Sequence, residues 1–538
     1  MTSTHVIPTD RLCLVVGVTG HRDVAKEDEA ALRTAFAGVL AELAQACPHT
    51  PLLVLSGLAA GADSLAAEEA VARDIPVIAC LPMPVEEYEH DFSPADISRF
   101  RTLLAASSRV TIVSPQREKG YTQTGSFIAH YSHLLVAFWD GEDSRGEGGT
   151  ADVVRMRMAP QSRPLNDVTN IPYLPDLGPV YQIVTPRSNG TRPADACTMK
   201  RLYPQRYPHD ESVERDFESI LAHIDLYNVD LSRVPPKEGP VGLEAVMDRT
   251  DAAANRLQRL TNSFQMLLLV TAFAAATIQI MAHLPEILKL VGLAAAFVAY
   301  GLARKNDYEN RYQDYRALAE GLRVQRAWYA AGLRRQLVDK AYLRMQEGEL
   351  QWIRLALRAF FLLCCEDHVS APQDRSVYET WVDAQSAYYR DRSSRLRANK
   401  RWLDRIGLSA LGLGVASTIL AAIALGERGE LLCALFGTCT PPASTALTNL
   451  LTVPVAVAVI LETLFSEYND RQNLEGNARR YERMYRIFAN ARQQLREIDQ
   501  GRHGDPEEIV LTLGRAALVE HADWLIMRRD RPIRAVLV

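Results

Sequence analysis

Several residue patterns are missing from this 538-residue chain, and each absence excludes a class of protein. The eight cysteines form no CxxC pair and no spacing typical of metal ligands, so we expect neither a metal site nor a cofactor. The opening MTSTHVIPTD lacks the basic start and the apolar run of a signal peptide. No single charge dominates either, because the net charge is only −5. Composition therefore favours a chain whose first part folds in the cytosol.

Charge is nearly absent from four segments, 264–284, 287–303, 406–425 and 447–465. Each has close to the 20 residues that a helix needs to cross a bilayer core about 30 Å thick. Buried core helices are the alternative, and they suit the second segment best because Lys289 stands near its start. Basic residues flank both pairs on the outside, which predicts two hairpins of transmembrane helices with both termini and residues 304–405 in the cytoplasm. The loop between the last two spans holds Cys433 and Cys439, either as a disulfide or as two small unpaired residues.

The first 190 residues alternate strand and helix signals. Apolar runs at 12–19, 52–56, 75–82, 109–114, 133–140 and 179–184 are joined by helical stretches. Runs without polar alternation are typical of strands buried on both faces. We therefore predict an α/β Rossmann-like domain with a parallel sheet, followed by an all-α membrane region with four transmembrane helices and long cytoplasmic helices.

Three turns at predicted carboxyl ends of strands carry the candidate ligand-binding residues. Glycines there allow a ligand to approach the backbone, and amide hydrogens at a helix start attract phosphate. The candidates are Gly17, Thr19, Gly20, His21 and Arg22 in the first turn, Ser56, Gly57, Gly61, Ala62, Asp63 and Ser64 in the second, and Asp140, Arg145, Gly148, Gly149 and Thr150 in the third. Arg22 and Arg145 would pair with ligand charge, and Asp63 would accept from a ribose hydroxyl.

Each of these turns also has a structural interpretation. A single glycine-rich turn in an α/β domain is structural about as often as it is functional. His21 is equally well explained as a polar residue with satisfied hydrogen bonds, and Asp63 as a helix cap. The functional hypothesis depends on three such turns meeting at one crevice.

Four separated motifs in the first 190 residues, TGHRD, LSGLAAGADSLAAEEA, LPMPVEEYEHDF and WDGEDSRGEGGTADVV, resemble the SLOG superfamily. That superfamily includes the Lonely Guy phosphoribohydrolases and the DNA-processing proteins of natural transformation, and the resemblance implies a nucleotide-derived ligand. Its enzymes carry a PGGxGTxxE motif with a catalytic acid. Here Val153 occupies the position of that acid and Asp152 is the nearest carboxylate, which favours sensing over hydrolysis.

The helical part contains an apparent duplication. DYENR at 307–311 follows the second span and EYNDR at 467–471 follows the fourth, while Tyr312, Tyr315 and Arg316 are echoed by Tyr481, Tyr485 and Arg486. Two hairpins that each continue into a long helix resemble SLATT domains, two-span modules that accompany SLOG domains in bacterial conflict systems. Tryptophans between 306 and 400 lie in helical runs with mixed charge, so we expect packing there and no direct contact with nucleic acid.

These observations predict residues 1–190 as a nucleotide-sensing domain, 191–250 as a linker, and 251–405 and 406–538 as two hairpin-and-helix units. The leading hypothesis is a multi-pass protein of a bacterial inner membrane. It would bind a nucleotide-derived signal made by a separately encoded enzyme and respond, as a homo-oligomer, by disrupting the membrane during phage infection. The alternatives are a membrane-tethered nucleotide hydrolase using Asp63 or Asp152 as base, and a scaffold with purely structural turns. The spans would form either a pore or a packed anchor.

Overall fold

The computed structural model divides the chain into two compact units. The residues described are 6–144, 146, 148–158, 178–188, 192–204, 212–280, 285–305, 307–334, 336–343, 348, 350–364, 374–425, 455–463, 466 and 473–529. The first unit comprises Met1–Ala253, Asp314–Arg326 and Arg334–Pro372. The second comprises Ala254–Gln313, Ala327–Leu333 and Gln373–Val538.

A mostly parallel sheet forms the centre of the first unit. Its strands are β1 (Leu14–Gly20), β2 (Leu52–Ser56), β3 (Val77–Leu81), β4 (Arg109–Ile112), β5 (Leu134–Trp139), β6 (Val180–Val184) and β7 (Met199–Leu202). They lie in the order β4-β3-β2-β1-β5-β6-β7. All neighbouring pairs are parallel except β6 and β7, which are antiparallel. The predicted Rossmann-like α/β fold is confirmed, with β7 as an edge strand that the sequence did not predict.

Helices cover both faces of this sheet, which explains why its inner strands are continuously apolar. They are α1 (Glu29–Ala46), α2 (Ala62–Ala72), α3 (Val85–Tyr88), α4 (Asp96–Ala106), α5 (Arg117–Tyr131), α6 (Thr150–Met158) and α7 (Val213–Ser232). The strands β1, β2 and β3 are buried almost throughout. The edge strand β4 differs, because Val110 and Ile112 are exposed.

Residues 191–250, which we predicted as a linker, contain folded structure. Strand β7 extends the sheet, and α7 packs Phe217 and Leu221 into the same apolar core as β1 and β5. The side-chain amide of Asn228 in α7 donates to the Leu12 carbonyl at 2.9 Å, and its oxygen accepts from the Leu12 amide at 3.0 Å. These contacts explain why the first compact unit extends beyond residue 190.

Long helices make up the rest of the chain. They are α8 (Gly242–Ile280), α9 (Glu286–Lys305), α10 (Tyr308–Ala330), α11 (Gln351–Cys364), α12 (Arg375–Leu425), α13 (Leu474–Asp499) and α14 (Pro506–Arg529). A further helical segment occupies 455–463. Helices α12 and α13 pack through aromatic pairs, with ring centroids 5.3 Å apart for Trp381 and Phe488. The predicted helical region after the α/β domain is therefore confirmed.

One helix among the described residues, Gly242–Ile278, is long and apolar enough to cross a membrane. It includes most of the first predicted span, and only 11% of its most apolar stretch is buried within the protein. Residues 281–284, 447–454, 464 and 465 of the predicted spans lie outside the described residues, as do Cys433 and Cys439. The arrangement of four spans thus stays a prediction.

Small residues let the predicted spans approach one another. A Cβ atom added at Gly292 in α9 would lie 3.6 Å from the Cα of Ala275 in α8. One added at Gly414 in α12 would lie 3.5 Å from the Cβ of Ala458 in the segment 455–463. Both contacts are of the close-packed kind found between small residues of membrane helices.

The long helices of the two predicted hairpin-and-helix units begin in the same way. Asp307 precedes α10 with φ 45°, and Asn473 precedes α13 with φ 43°. Left-handed backbone is uncommon outside glycine and is best tolerated by Asn and Asp. When α10 and α13 are aligned at these caps, Asp307 corresponds to Asn473 and Tyr315 to Tyr481. This alignment differs from the one that the motifs DYENR and EYNDR suggest. The EYNDR motif at 467–471 lies outside the described residues.

Candidate functional site

The strand order reverses at β1, which lies between β2 and β5. In open parallel sheets this reversal opens a crevice at the carboxyl ends of the strands, where ligands bind. The chain leaves β1 at His21, β2 at Gly57 and β5 at Asp140. The structure therefore brings the starts of the three predicted turns to this edge of the sheet.

In the first turn, two glycines are required by packing. Gly17 lies inside β1, and a Cβ there would be 2.8 Å from the hydroxyl oxygen of Ser132, the residue that follows α5. At Gly20 a Cβ would be 2.5 Å from the Cβ of Ala62 and 2.8 Å from that of Phe138. Thr19, next to Gly20 at the end of β1, is half-buried. These glycines hold β1 close to its neighbouring elements and are not open to solvent on that side.

The second turn is shaped by its own side chains. The Ser56 hydroxyl donates to the Asp63 carbonyl at 3.1 Å and accepts from the Leu58 amide at 3.1 Å. Ser64 donates through its hydroxyl to the Ala59 carbonyl at 2.7 Å. Gly61 has φ 86°, and a Cβ there would lie 2.4 Å from the Arg22 carbonyl oxygen. The start of α2 is thereby held directly against the end of the first turn.

Asp63 is the least satisfied polar side chain of the predicted site. Its residue is 8% exposed, and its Oδ1 atom has no hydrogen-bond partner among the described residues. Burial raises the pKa of this carboxyl to about 7, against the opposing effects of the Arg22 charge and of backbone hydrogen bonds from Ala59 and Gly20. A Cβ added at Gly57 would lie 3.1 Å from its Oδ2 atom, so the glycine makes room for the carboxyl.

Arg22 supplies a cation beside this carboxyl. Arg22 is an exposed residue, and its guanidinium carbon lies 4.9 Å from the centroid of the Tyr121 ring in α5. The Tyr121 hydroxyl donates to Asp91, which also receives a hydrogen bond from Arg117. Although burial opposes ionisation of Asp91, these hydrogen bonds keep its pKa below the ordinary value. The Tyr121 ring is thus fixed in place under Arg22.

Tyr88 completes the wall next to Asp63. Its side chain is buried, its hydroxyl donates to the Gly57 carbonyl at 3.2 Å, and its ring contacts that of Tyr121 with centroids 6.2 Å apart. Burial raises the pKa of Tyr88 well above its ordinary value, so this hydroxyl is a donor at neutral pH. The site residues predicted from the sequence did not include Tyr88, Asp91 or Tyr121. Tyr88 and Asp91 belong to the quoted LPMPVEEYEHDF motif, whereas no pattern marked Tyr121.

His21 and Asp140 form a second, internally satisfied group. The Asp140 amide donates to His21 Nε2 at 3.1 Å, and the Arg187 Nε atom donates to the Asp140 carboxylate at 2.5 Å. Burial lowers the pKa of His21, which leaves the imidazole neutral and able to accept that amide hydrogen. Burial disfavours the Asp140 charge, but Arg187 keeps its pKa below the ordinary value. This arrangement supports the structural interpretation of His21, and Arg187 was not predicted.

The third turn leads into α6. Gly148 has φ 74°, and a Cβ there would be 2.7 Å from the Thr122 amide nitrogen, which places the turn against α5. Asp152 accepts from the Gly148 amide at 3.1 Å and from Arg155 at 2.9 Å. Val153, at the position of the enzymatic acid, is buried against Gly125. Thr150 begins α6 and is buried, while Arg145 lies outside the described residues.

Several amides that we expected to face a phosphate are hydrogen-bonded within the protein. The Ala62 amide donates to the His21 carbonyl at 3.0 Å and the Ser64 amide to the Ala59 carbonyl at 3.1 Å. The Gly149 amide likewise donates to the Gly146 carbonyl at 3.3 Å. An anion would have to replace these acceptors, so the guanidinium of Arg22 is the stronger anion-binding group here.

The fold and the arrangement of turns at the carboxyl ends of the strands define the class of protein. It has an N-terminal α/β domain with a candidate ligand crevice, followed by a helical region. The described residues contain no cluster of His, Cys, Asp or Glu able to hold a metal ion. The sequence model of a family described as "Protein of unknown function (DUF4231)" matches residues 245–334. The matched range covers most of α8 together with α9 and α10, which overlaps the first part of the predicted hairpin-and-helix unit 251–405. No curated protein matches the chain.

Proposed function

We propose that this chain is a membrane protein whose α/β domain binds a nucleotide-derived ligand at the crevice beside β1. The observation that carries the proposal is the proximity of a cation, Arg22, to a buried carboxyl, Asp63, one oxygen of which has no hydrogen-bond partner among the described residues. A nucleotide offers both complements, a phosphate for the guanidinium and a sugar hydroxyl for the carboxyl oxygen. The Tyr121 ring under Arg22 fixes the cation without neutralising it.

Apolar side chains on the helices support the membrane part of the proposal. Eight large apolar residues of these helices are each more than half exposed: Met266, Val270, Ile287, Leu290, Phe297, Leu408, Leu413 and Ile419. Removing one such side chain from water is worth about 1.5 to 3 kcal/mol. A bilayer would remove all of them at once. Multi-pass insertion with the α/β domain in the cytoplasm of a bacterial inner membrane is the arrangement we propose.

The proposed response is a change in the membrane helices on ligand binding. Ligand that binds one state of the protein more tightly shifts the population toward that state. In the proposed mechanism the shifted state is an oligomer, or an opening of the helices, that permeabilises the membrane. The signal would come from a separately encoded enzyme during phage infection, and this part depends on the resemblance to SLOG and SLATT proteins alone.

A binding experiment tests the sensor. Full-length protein in detergent would be heated with nucleoside mono-, di- and triphosphates, and a bound ligand should raise the melting temperature because it stabilises only the folded state. Arg22→Gln should abolish the shift, whereas Arg11→Gln, at an exposed arginine that pairs with Asp10, should keep it. Absence of any shift, with the wild-type protein folded, would contradict the proposal.

Asp63 also favours a second candidate, a nucleotide hydrolase tethered to the membrane. A carboxyl with a pKa near 7 can take a proton from water at neutral pH. In that reaction the water oxygen attacks the anomeric carbon, its proton passes to Asp63, and the base leaves with the electrons of the N-glycosidic bond. Incubation of the full chain with nucleoside monophosphates separates the two candidates, because free base and ribose phosphate form only in the second. Asp152 suits the role of base less well, since it is held by Gly148 and Arg155.

A further inference from the structure

Helix α12 carries a patch of two arginines and one tryptophan just before its apolar part. Arg401, Trp402 and Arg405 are exposed, and Trp402 is 61% exposed although it is large and apolar. We call these three residues the α12 collar. Positions 401 and 405 are four apart, so their side chains lie on the same side of the helix, one turn apart.

Neighbouring basic residues of α12 have acidic partners. Arg395 pairs with Asp391 at 2.8 Å, Arg397 with Glu482, and Lys400 with Asp404 at 3.1 Å and Glu475 at 3.4 Å. Among the described residues no acidic group pairs with Arg401 or Arg405. Arg401 donates only to the Arg397 carbonyl, at 3.4 Å. Two positive charges therefore remain available to a negative group from outside these residues.

The collar stands next to an exposed apolar surface. Leu408 is 72% exposed and Leu411 is 52% exposed, and Leu413 and Val415 follow with similar exposure. At a rise of about 1.5 Å per residue, Arg405 lies roughly 4.5 Å along the helix axis from Leu408. Arginine above an apolar stretch, with tryptophan beside it, is the order of residues found where a helix passes from headgroups into hydrocarbon.

We propose that the α12 collar binds the headgroup of an anionic phospholipid, an inference that depends on the proposed membrane location. The phosphate and any further negative charge would lie between Arg401 and Arg405, with the Trp402 ring at the level of the glycerol backbone. A zwitterionic headgroup would be disfavoured, because its own ammonium would face the same two cations. Each basic residue near an anionic surface strengthens binding by about fivefold.

Titration of the full-length protein in detergent with fluorescent phosphatidylglycerol and fluorescent phosphatidylcholine tests this inference. The double variant Arg401→Gln and Arg405→Gln should weaken phosphatidylglycerol binding roughly 25-fold and leave phosphatidylcholine binding unchanged. A matched control is Arg479→Gln with Arg486→Gln, two exposed arginines of α13 that are each paired with a glutamate four residues away. Trp402→Ala should weaken the binding of both lipids.

Any of the following results would contradict the inference. Equal phosphatidylglycerol binding by the wild-type protein and the collar variant would do so. If inorganic phosphate displaced the fluorescent phosphatidylglycerol as strongly as unlabelled phosphatidylglycerol does, the two arginines would form a site for a free anion and not for a lipid. Reconstitution into vesicles separates the two proposals: a chain that enters vesicles without lipid preference contradicts the collar alone, and a chain that enters no vesicles contradicts the membrane location as well.

Discussion

The α carbon of Gly61 lies directly against the backbone of Arg22. A Cβ at residue 61 would be 2.4 Å from the Arg22 carbonyl oxygen and 2.5 Å from that of His21. The Ala62 amide donates to this same His21 carbonyl at 3.0 Å. The two turns that carry Arg22 and Asp63 are therefore joined through backbone contacts, and the position of the cation relative to the carboxyl depends on a residue without a side chain.

Gly61→Ala should destabilise the α/β domain. The backbone at this position has φ 86°, and both clashing atoms belong to main chain that cannot turn aside. We expect a loss of about 1 to 3 kcal/mol of unfolding free energy, measured by denaturant titration. Gly38→Ala in α1 is the control: a Cβ there meets no atom within 4 Å in the part of the chain that the structure describes, so stability should stay equal or rise slightly. Equal effects of the two substitutions would show that the close contact is unimportant.

Asp63→Asn should change how stability depends on pH. The folded-state pKa of Asp63, about 7, exceeds its unfolded value, so the folded protein binds the extra proton and loses stability as pH rises from about 4 to about 7. Asparagine does not ionise, so the variant should lose less stability between about pH 5.5 and pH 8 than the wild type does. Melting temperatures at both pH values measure this. Asp143→Asn, at a side chain 95% exposed, should leave the wild-type pH dependence intact.

Arg187→Met should destabilise the turn after β5. The Asp140 side chain is 12% exposed and that of Arg187 9% exposed, so the substitution leaves a buried carboxylate without its cation. We expect a loss of about 3 kcal/mol at pH 7. Because Arg187 lowers the Asp140 pKa, its stabilisation is present above the unfolded pKa and is lost as pH falls through the folded one. The gap between variant and wild type should therefore narrow in acid, as seen by denaturant titration. A gap independent of pH would exclude the ion pair as its cause.

Gly414→Leu should disturb the contact between α12 and the segment 455–463. A Cβ at Gly414 already lies at van der Waals distance from Ala458, so a longer side chain must push the two helices apart. The neighbouring Gly412→Leu is the control, because a Cβ there meets no atom of the described residues within 4 Å. We expect a lower melting temperature in detergent for Gly414→Leu and a nearly unchanged one for Gly412→Leu. The reverse order would contradict the described packing.

Parts of the candidate site could be predicted from local sequence. The turns at Gly20, Gly57 and Gly148 were found because glycine between an apolar run and a helical stretch marks a strand leading into a tight turn. What those glycines contact was not predictable. Gly17 faces Ser132 across 115 residues of chain, and the amides of Ala62 and Gly149 turned out to have protein acceptors. Tyr121 and Arg187 carried no local signal, since their importance comes from neighbours supplied by other elements.

The sequence by itself determined the alternation of strands and helices, the parallel sheet and the long helical region, because periodicity and turn chemistry act over a few neighbouring residues. Tertiary structure alone decided that α7 and Arg334–Pro372 belong to the first compact unit. It also decided that, among the described residues, one Asp63 oxygen has no partner while Asp140 is neutralised by Arg187. Burial and the pairing of charges depend on residues far apart in the chain, and folding has to bring these together before the pKa of Asp63 or His21 can differ from that of an exposed side chain.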